Sequence, residues 1–319
     1  ETVRVLLDRP IDAASTPVFT ALDQNLFRSE DLNVNVIPGN GTANGNSDAI
    51  SRLAAGEGDV ALADINALIR YRDRANAAEI KAVYVLFNTA GYAIVARKSR
   101  GIQDLHDLEG KSLGYADGDP ATAFWPALAR LNNVPRDHVR LQRVGAAVRE
   151  PMLSAGQIDA VMGLAYLSPV NLKDRGIPAG DLAVFRYDDL GVAAYGLAVL
   201  VGPKFAVEKP EAVRGFLRAV NAALRLAIRS PAKAVDDVLA HMPSGAHDVE
   251  LERLRSILGN NVLTEEVRRN GLGGIDAERF AATADLLSEG VKLRKKPALA
   301  DIFDGSFLPP QASRTLQLR

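Results

Sequence analysis

The sequence predicts an α/β protein of two lobes, and three observations lead there. Its 319 residues exceed the roughly 250 to 300 at which a single core stops growing. Short β-branched runs alternate with helical segments in two successive series. One stretch is echoed between the two halves.

The first series runs 3–7 then 16–26, 34–37 then 47–55, 60–62 then 66–73, and ends with 82–87. Such alternation is the pattern of βαβ units on a largely parallel sheet. A second series, 112–115, 121–131, 139–141, 148–155, 160–162 and 182–185, calls for a second sheet. The echo pairs AISRLAAGEGDVALAD at 49–64 with REPMLSAGQIDAVMGL at 149–164. Gly56 and Gly156 suit the left-handed position that ends a helix, and Asp59 and Asp159 each precede a buried strand. Chance similarity of two αβ turns is the alternative, because such turns draw on few residue types.

After Tyr195 the pattern becomes helical. Pro210 opens a helix whose apolar face holds Val213, Phe216, Leu217, Val220, Leu224, Ala227 and Ile228. Ser230 and Pro231 read as the N-cap and first position of the next. Two glycine-interrupted, strand-like stretches, 84–95 and 187–201, can carry the chain between lobes and act as hinges. The expected division is 1–90 with 196–319 as lobe one, and 91–195 as lobe two.

Composition narrows the partners. Apolar residues are 47% and charged residues 24%, ordinary globular values. No run approaches the roughly 18 apolar residues of a membrane span. Basic and acidic residues nearly cancel, 38 against 39, so the basic footprint of a nucleic-acid or anionic-membrane binder is missing. A small molecule is the expected partner and a monomer the expected state. The absence of cysteine excludes disulfides, thiolate zinc sites, cysteine nucleophiles and a lipid-modified cysteine. Glu1 leads straight into a strand, the appearance left by removal of a secretory signal.

No catalytic set is legible. His106, His138, His241 and His247 lie in polar stretches without metal-ligand spacing. There is no G-x-S-x-G elbow and no G-x-G-x-x-G after a strand. Asp188 and Asp189 are adjacent, so on a strand they face opposite sides. The expectation is a protein that binds without turnover and needs no cofactor. A regulator's sensing domain would show a helix-turn-helix ahead of the first strand, where Glu1 stands.

Several runs together resemble the solute-binding proteins of bacterial ABC importers, in the family that binds thiamine pyrimidine precursors, nitrate, taurine and alkanesulfonates. They are GDVALAD at 58–64, IQDLHDLEGKSLGY at 102–115, YDDLGVAAYGLAVL at 187–200, and KPEAVRGFLRAV followed by SPAKAVDD. The resemblance implies a type II periplasmic-binding fold with a double hinge crossover, a ligand cleft between lobes, a periplasmic location, and a permease and ATPase as partners. Arg9 stands where the family more often has an aromatic residue. Enzymes also occur on this fold, among them menaquinone-pathway proteins and fungal thiamine-pyrimidine synthases; the latter resemblance would require a cysteine-rich motif.

In parallel α/β sheets, ligands gather beyond the carboxyl ends of the strands. In lobe one these ends supply Asp8, Arg9, Asp12, Asp64 and Asn88. The GNGTANGNS segment at 39–47 adds Gly39, Asn40, Thr42 and Asn44, either as a polar cradle or as a plain turn. In lobe two the candidates are Asp117, Trp125, Tyr166, Asp189 and, at the crossover, Tyr195. Asp119 before Pro120 reads as an N-cap, which leaves Asp117 as the better ligand contact. Trp125 can stack on a flat ligand or fill the core; Tyr166 and Tyr195 can face the cleft or pack the hinge; Asp64 can accept from a ligand or cap a helix. Ionised carboxylates only accept hydrogen bonds, so this set favours a nitrogen-containing heterocycle, such as a pyrimidine-like vitamin precursor. A sulfonate, nitrate or carboxylate held by helix N-termini is the alternative.

Overall fold

The strands form in the order the alternation requires. The computed structural model describes residues 1–39, 42–43 and 46–317. In chain order they are β1 (Thr2–Leu7), β2 (Asn33–Ile37), β3 (Thr42–Ala43), β4 (Asn46–Ser47), β5 (Val60–Asp64), β6 (Lys81–Val85), β7 (Tyr92–Arg97), β8 (Ser112–Tyr115), β9 (Arg140–Arg143), β10 (Ala160–Leu164), β11 (Leu182–Arg186) and β12 (Leu197–Val201). They belong to two compact units. The first comprises Glu1–Thr89, Tyr195–Ala281 and Arg294–Arg319; the second comprises Ala90–Ala194 and Ala282–Leu293.

The sheet of the first unit has the order β2-β1-β5-β12-β6. β1 runs parallel to β2 and β5, and β12 lies antiparallel between β5 and β6. β5, β6 and β12 are buried almost throughout, as continuous apolar runs such as Val60–Asp64 require. The helix Pro210–Arg229 turns Val213, Phe216, Leu217, Val220, Leu224 and Ala227 inward and packs on the helix Thr16–Asp23. Phe216 stacks on Phe27 with ring centroids 5.0 Å apart. Burying each large apolar side chain contributes about 1.5–3 kcal/mol. The next helix starts at Pro231, but Ser230 makes no side-chain capping bond.

The sheet of the second unit has the order β11-β7-β10-β8-β9. Here β10, β8 and β9 are parallel, while β7 is antiparallel to both β10 and β11. In each unit the antiparallel strand is the one that follows a chain connection, at Thr89/Ala90 and Ala194/Tyr195.

One assignment made from the sequence is corrected. Ala282–Leu293, expected in lobe one, belongs to the second unit. Arg130 grips Glu289 through both Nε and Nη2, the latter at 2.9 Å. Gly290 approaches the chain at Ala123 so closely that a Cβ would lie 1.8 Å from the Ala123 carbonyl oxygen. Neither contact has a periodic signature.

The echo has a common geometry. Gly56 and Gly156 take φ of 78° and 76°. Asp59 donates its N–H to the Arg4 carbonyl at 2.9 Å and accepts the Arg4 N–H at 2.8 Å. Asp159 does the same with Ser112, at 3.3 Å and 2.8 Å. The pairs that follow are Val5 with Val60 and Leu113 with Ala160. One device thus sets the parallel register in both sheets.

At the carboxyl end of β1 two constraints fix the loop. Gly39 donates to the Arg9 carbonyl at 3.2 Å; a Cβ there would stand 2.1 Å from the Leu7 carbonyl oxygen. Glu250, 1% exposed, accepts the Ala13 N–H at 2.8 Å and pairs with Arg253. Burial pushes its carboxyl above the usual range, against the pull of Arg253 and the Ala13 N–H.

Two outcomes follow. Gly39→Ala is expected to destabilise the protein by about 1–3 kcal/mol, because backbone must move to admit the methyl group; urea denaturation measures it, and an unchanged midpoint would contradict the close approach. For Glu250 the folded state holds the proton more tightly than the unfolded chain. Its contribution is therefore fully present below the unfolded pKa and is lost as pH rises through the raised folded value. The stability of the parent protein relative to Glu250→Gln should shrink between mildly acid and neutral pH, whereas a widening gap in urea midpoints would contradict this.

Candidate functional site

In the first unit, the ends of β1, β5 and β12 border a recess of about 30 Å³ lined by Asp8, Arg9, Asp12, Ser15, Leu62 and Leu197. The Asp8 N–H donates to the Leu62 carbonyl at 3.2 Å, which ties the end of β1 to the middle of β5. Asp12 caps the short helix Ala13–Ser15 through the Ala14 N–H at 2.8 Å. It also pairs with Arg9 at 3.2 Å. Asp8, Arg9 and Asp12 therefore line one recess, and Gly39 packs against the backbone of Leu7 and Asp8. Gly39 has a packing reason for being glycine, beyond any part in a polar cradle.

Asn40 and Asn44 lie outside the described residues. Thr42 sits in β3, paired with Ser47 of β4. Asp64 caps the helix Ile65–Arg72 through the Asn66 N–H at 2.7 Å, the capping role weighed for it. Asn66 in turn donates from its side chain to the Tyr195 carbonyl at 2.8 Å.

Asn88 and Tyr195 join a polar cluster whose other members have no sequence signature. The Tyr195 hydroxyl donates to Glu266 at 2.9 Å and accepts the Asp276 N–H at 2.7 Å. The Arg279 guanidinium covers the ring at 3.8 Å from its centroid, a cation–π contact. Asn88 donates to Glu266 at 2.6 Å and accepts from Thr264 at 2.7 Å and Arg279 at 2.9 Å. Burial raises the Tyr195 phenol well above its ordinary pKa. Hydroxyl and one ring face are thus both occupied by protein groups, which makes Tyr195 the anchor of the end of β12.

In the second unit, Asp117 follows β8 and pairs with Arg143 at 3.0 Å, its side chain 38% exposed. Asp119 caps the helix Pro120–Ala123 and also accepts from Arg149 at 3.1 Å. Arg149 is 8% exposed; it donates to the Met162 carbonyl at 3.0 Å and lies 3.5 Å from Glu150. Glu150 accepts from the fully buried Ser168 at 2.7 Å. This network ties three segments to the end of β10.

Trp125 and Tyr166 are buried, at 1% and 3% exposure. Trp125 carries an indole N–H with no hydrogen-bond partner. Asp189 lies apart on the turn after β11, its side chain 70% exposed and 3.9 Å from Arg186. Among the described residues, no three His, Cys, Asp or Glu side chains are grouped to hold a metal ion. No helix among them is long and apolar enough to cross a membrane.

The chain is similar to the 4-amino-5-hydroxymethyl-2-methylpyrimidine phosphate synthase of Schizosaccharomyces pombe, 22% identical over 77% of this chain and 72% of that protein. It is also similar to the riboflavin-binding protein RibY of Chloroflexus aurantiacus, 26% identical over 72% of this chain and 65% of that one. Among solved structures, the periplasmic aliphatic sulphonate binding protein SsuA of Escherichia coli superposes with a TM-score of 0.73 at 16% identity, covering 100% of this chain and 96% of that one. The architecture is the type II periplasmic-binding fold expected from the sequence.

The expectation that the chain is no enzyme is overturned, because relatives of 22–24% identity are named as synthases. Catalytic groups need neither paired histidines nor a linear motif, because folding brings together side chains far apart in sequence, as it does Asp119 and Arg149. A model described as NMT1/THI5 like matches residues 12–234, and the chain belongs to that family.

Proposed function

We propose that this chain binds a small nitrogen-containing heterocycle at the carboxyl edges of its strands, and that it does so outside the cytoplasm as the capture component of an importer with a permease and an ATPase. The observation that carries the reading is the acceptor-rich edge of the first unit. Asp8 and Asp12 line one recess, and Arg9, the cation among its described lining residues, is paired with Asp12. Carboxylates only accept hydrogen bonds, so such an edge suits ring and amino N–H groups and repels anions. The names of the pyrimidine phosphate synthase and of RibY also concern nitrogen heterocycles. The sulphonate-binding neighbour, at 16% identity, supports the fold and not its ligand.

Calorimetry with 4-amino-5-hydroxymethyl-2-methylpyrimidine, riboflavin and taurine tests this. A heterocycle should bind at one site per chain and taurine should not. Asp8→Asn should weaken the heterocycle about tenfold or more, the worth of a hydrogen bond to a charged group, with thermal unfolding run in parallel to show that the variant folds. Tight taurine binding, indifferent to Asp8→Asn, would overturn the heterocycle reading. Mass spectrometry of the same mixtures detects turnover, and recovery of the native protein from the cytoplasmic fraction would overturn the importer role.

A further inference from the structure

The helix Pro210–Arg229 has a second face besides the one it turns to the core. Arg218, Ala222, Arg225, Leu226 and Arg229 follow helical spacing and border a groove of about 640 Å³ in the first unit. Leu26, Pro309 and Pro310 line it from neighbouring segments. Its volume lies in the range of small-molecule sites, about 300–1,000 Å³. It shares no described lining residue with the recess at Asp8 and Asp12, and no Asp or Glu is among its own.

The three arginines differ in how their charge is met. Arg218 is paired with Glu30, Nη2 to Oε2 at 2.7 Å. Arg225 is held in place without being neutralised, because its Nη1 donates to two uncharged carbonyls, those of Ser313 and Thr315, each at 2.8 Å. A guanidinium carries its N–H donors in a rigid fork, so the Nε and Nη2 side of Arg225 is left to bind. Arg229 is exposed and, among the described residues, has neither a carboxylate nor a hydrogen-bond partner. The last turn of a helix favours a cation, which accounts for Arg229 alone and not for the apolar lining beside it. Arg225 and Arg229 are four residues apart, neighbours on one face. The facing segment is fixed as well: Asn221 donates to the Ser313 carbonyl at 3.0 Å, and Leu272 and Arg314 exchange two hydrogen bonds of 2.9 Å. The groove is therefore formed before any ligand arrives, which lowers the ordering cost of binding.

We infer that this groove is a second binding site, for a free amphiphilic carboxylate with an unbranched apolar chain: the head group meets Arg225 and Arg229, and the chain lies along Ala222, Leu226 and the two prolines. Planar guanidinium donors match the two oxygens of a carboxylate. Leu26, Ala222 and Leu226 are half-buried, and covering what remains exposed removes apolar surface from water. The charge preference is opposite to that of the recess at Asp8 and Asp12, so the two sites take different ligands and this one does not rest on the heterocycle reading.

Calorimetry with decanoate below its micelle concentration tests the assignment, with butanoate and decyltrimethylammonium as probes that keep only the charge or only the chain. Decanoate should bind at one site per chain. Butanoate should bind at least about tenfold more weakly, since each buried methylene is worth a factor of about two to four, and decyltrimethylammonium should bind at least about tenfold more weakly because it sets cation against cation. Arg229→Gln, at an exposed position, and Ala222→Phe, which fills the groove, should each weaken decanoate about three- to tenfold, with thermal unfolding run on both variants. Saturating 4-amino-5-hydroxymethyl-2-methylpyrimidine should leave decanoate binding unchanged. Displacement of decanoate by that pyrimidine, equal binding of the cationic probe, or an affinity unmoved in both variants would overturn the assignment. Binding to phosphatidylglycerol vesicles without binding of free decanoate would overturn it in favour of a membrane-facing surface.

Discussion

A carboxylate one residue ahead of a buried strand sets the register on which each sheet depends. Asp59 and Asp159 exchange two hydrogen bonds apiece with Arg4 and Ser112 on the neighbouring parallel strand. Parallel ladders are slightly weaker per residue than antiparallel ones and have no tight turn to fix their register. A slip of one residue would turn every buried side chain to the opposite face. With that register set, Leu7 at the end of β1 stands opposite Leu62 of β5, and Gly114 of β8 opposite Val161 of β10. The loops that follow then present Asp8 to Asp12 and Asp117 to Trp125 at the carboxyl edges.

Around those edges the charged groups are largely neutralised locally. Arg149 is shared between Asp119 and Glu150, Arg9 is held by Asp12, and Arg279 lies over Tyr195 beside Glu266. Removing one member of a buried pair strands the other, at a cost of several kcal/mol. Such networks give the loops fixed positions without apolar packing. They also explain why the strand ends can be rich in carboxylates and still fold.

The proteins to which this chain is similar include one whose name describes catalysis and one whose name describes capture. That range is understandable from a scaffold in which backbone and register are fixed by the sheets, while the chemistry is carried by the loops at their edges. A few polar atoms at those edges decide what is held.

What the sequence determined by itself was most of what has a period or a local grammar, the cap read at Ser230 being an exception. The alternation of β-branched runs and helices gave the two sheets, the amphipathic face of Val213 to Leu224 gave the long packing helix, and Gly56 and Gly156 marked the helix ends. The capping of helices by Asp64 and Asp119 was equally legible, because a cap acts on residues two or three positions away. Only the tertiary structure decided the contacts between residues far apart in the chain. Glu250 supports Ala13 across 237 positions, Glu266 and Arg279 enclose Tyr195 and Asn88, and Ala282–Leu293 joins the second unit through Arg130 and Gly290. Hydrogen bonds and ion pairs of that kind depend on which surfaces the sheets bring together, and no spacing along the chain encodes them. The same holds for Trp125, whose type could be read as a ring face for stacking, while its burial and unmet N–H appear only once the helix is in place.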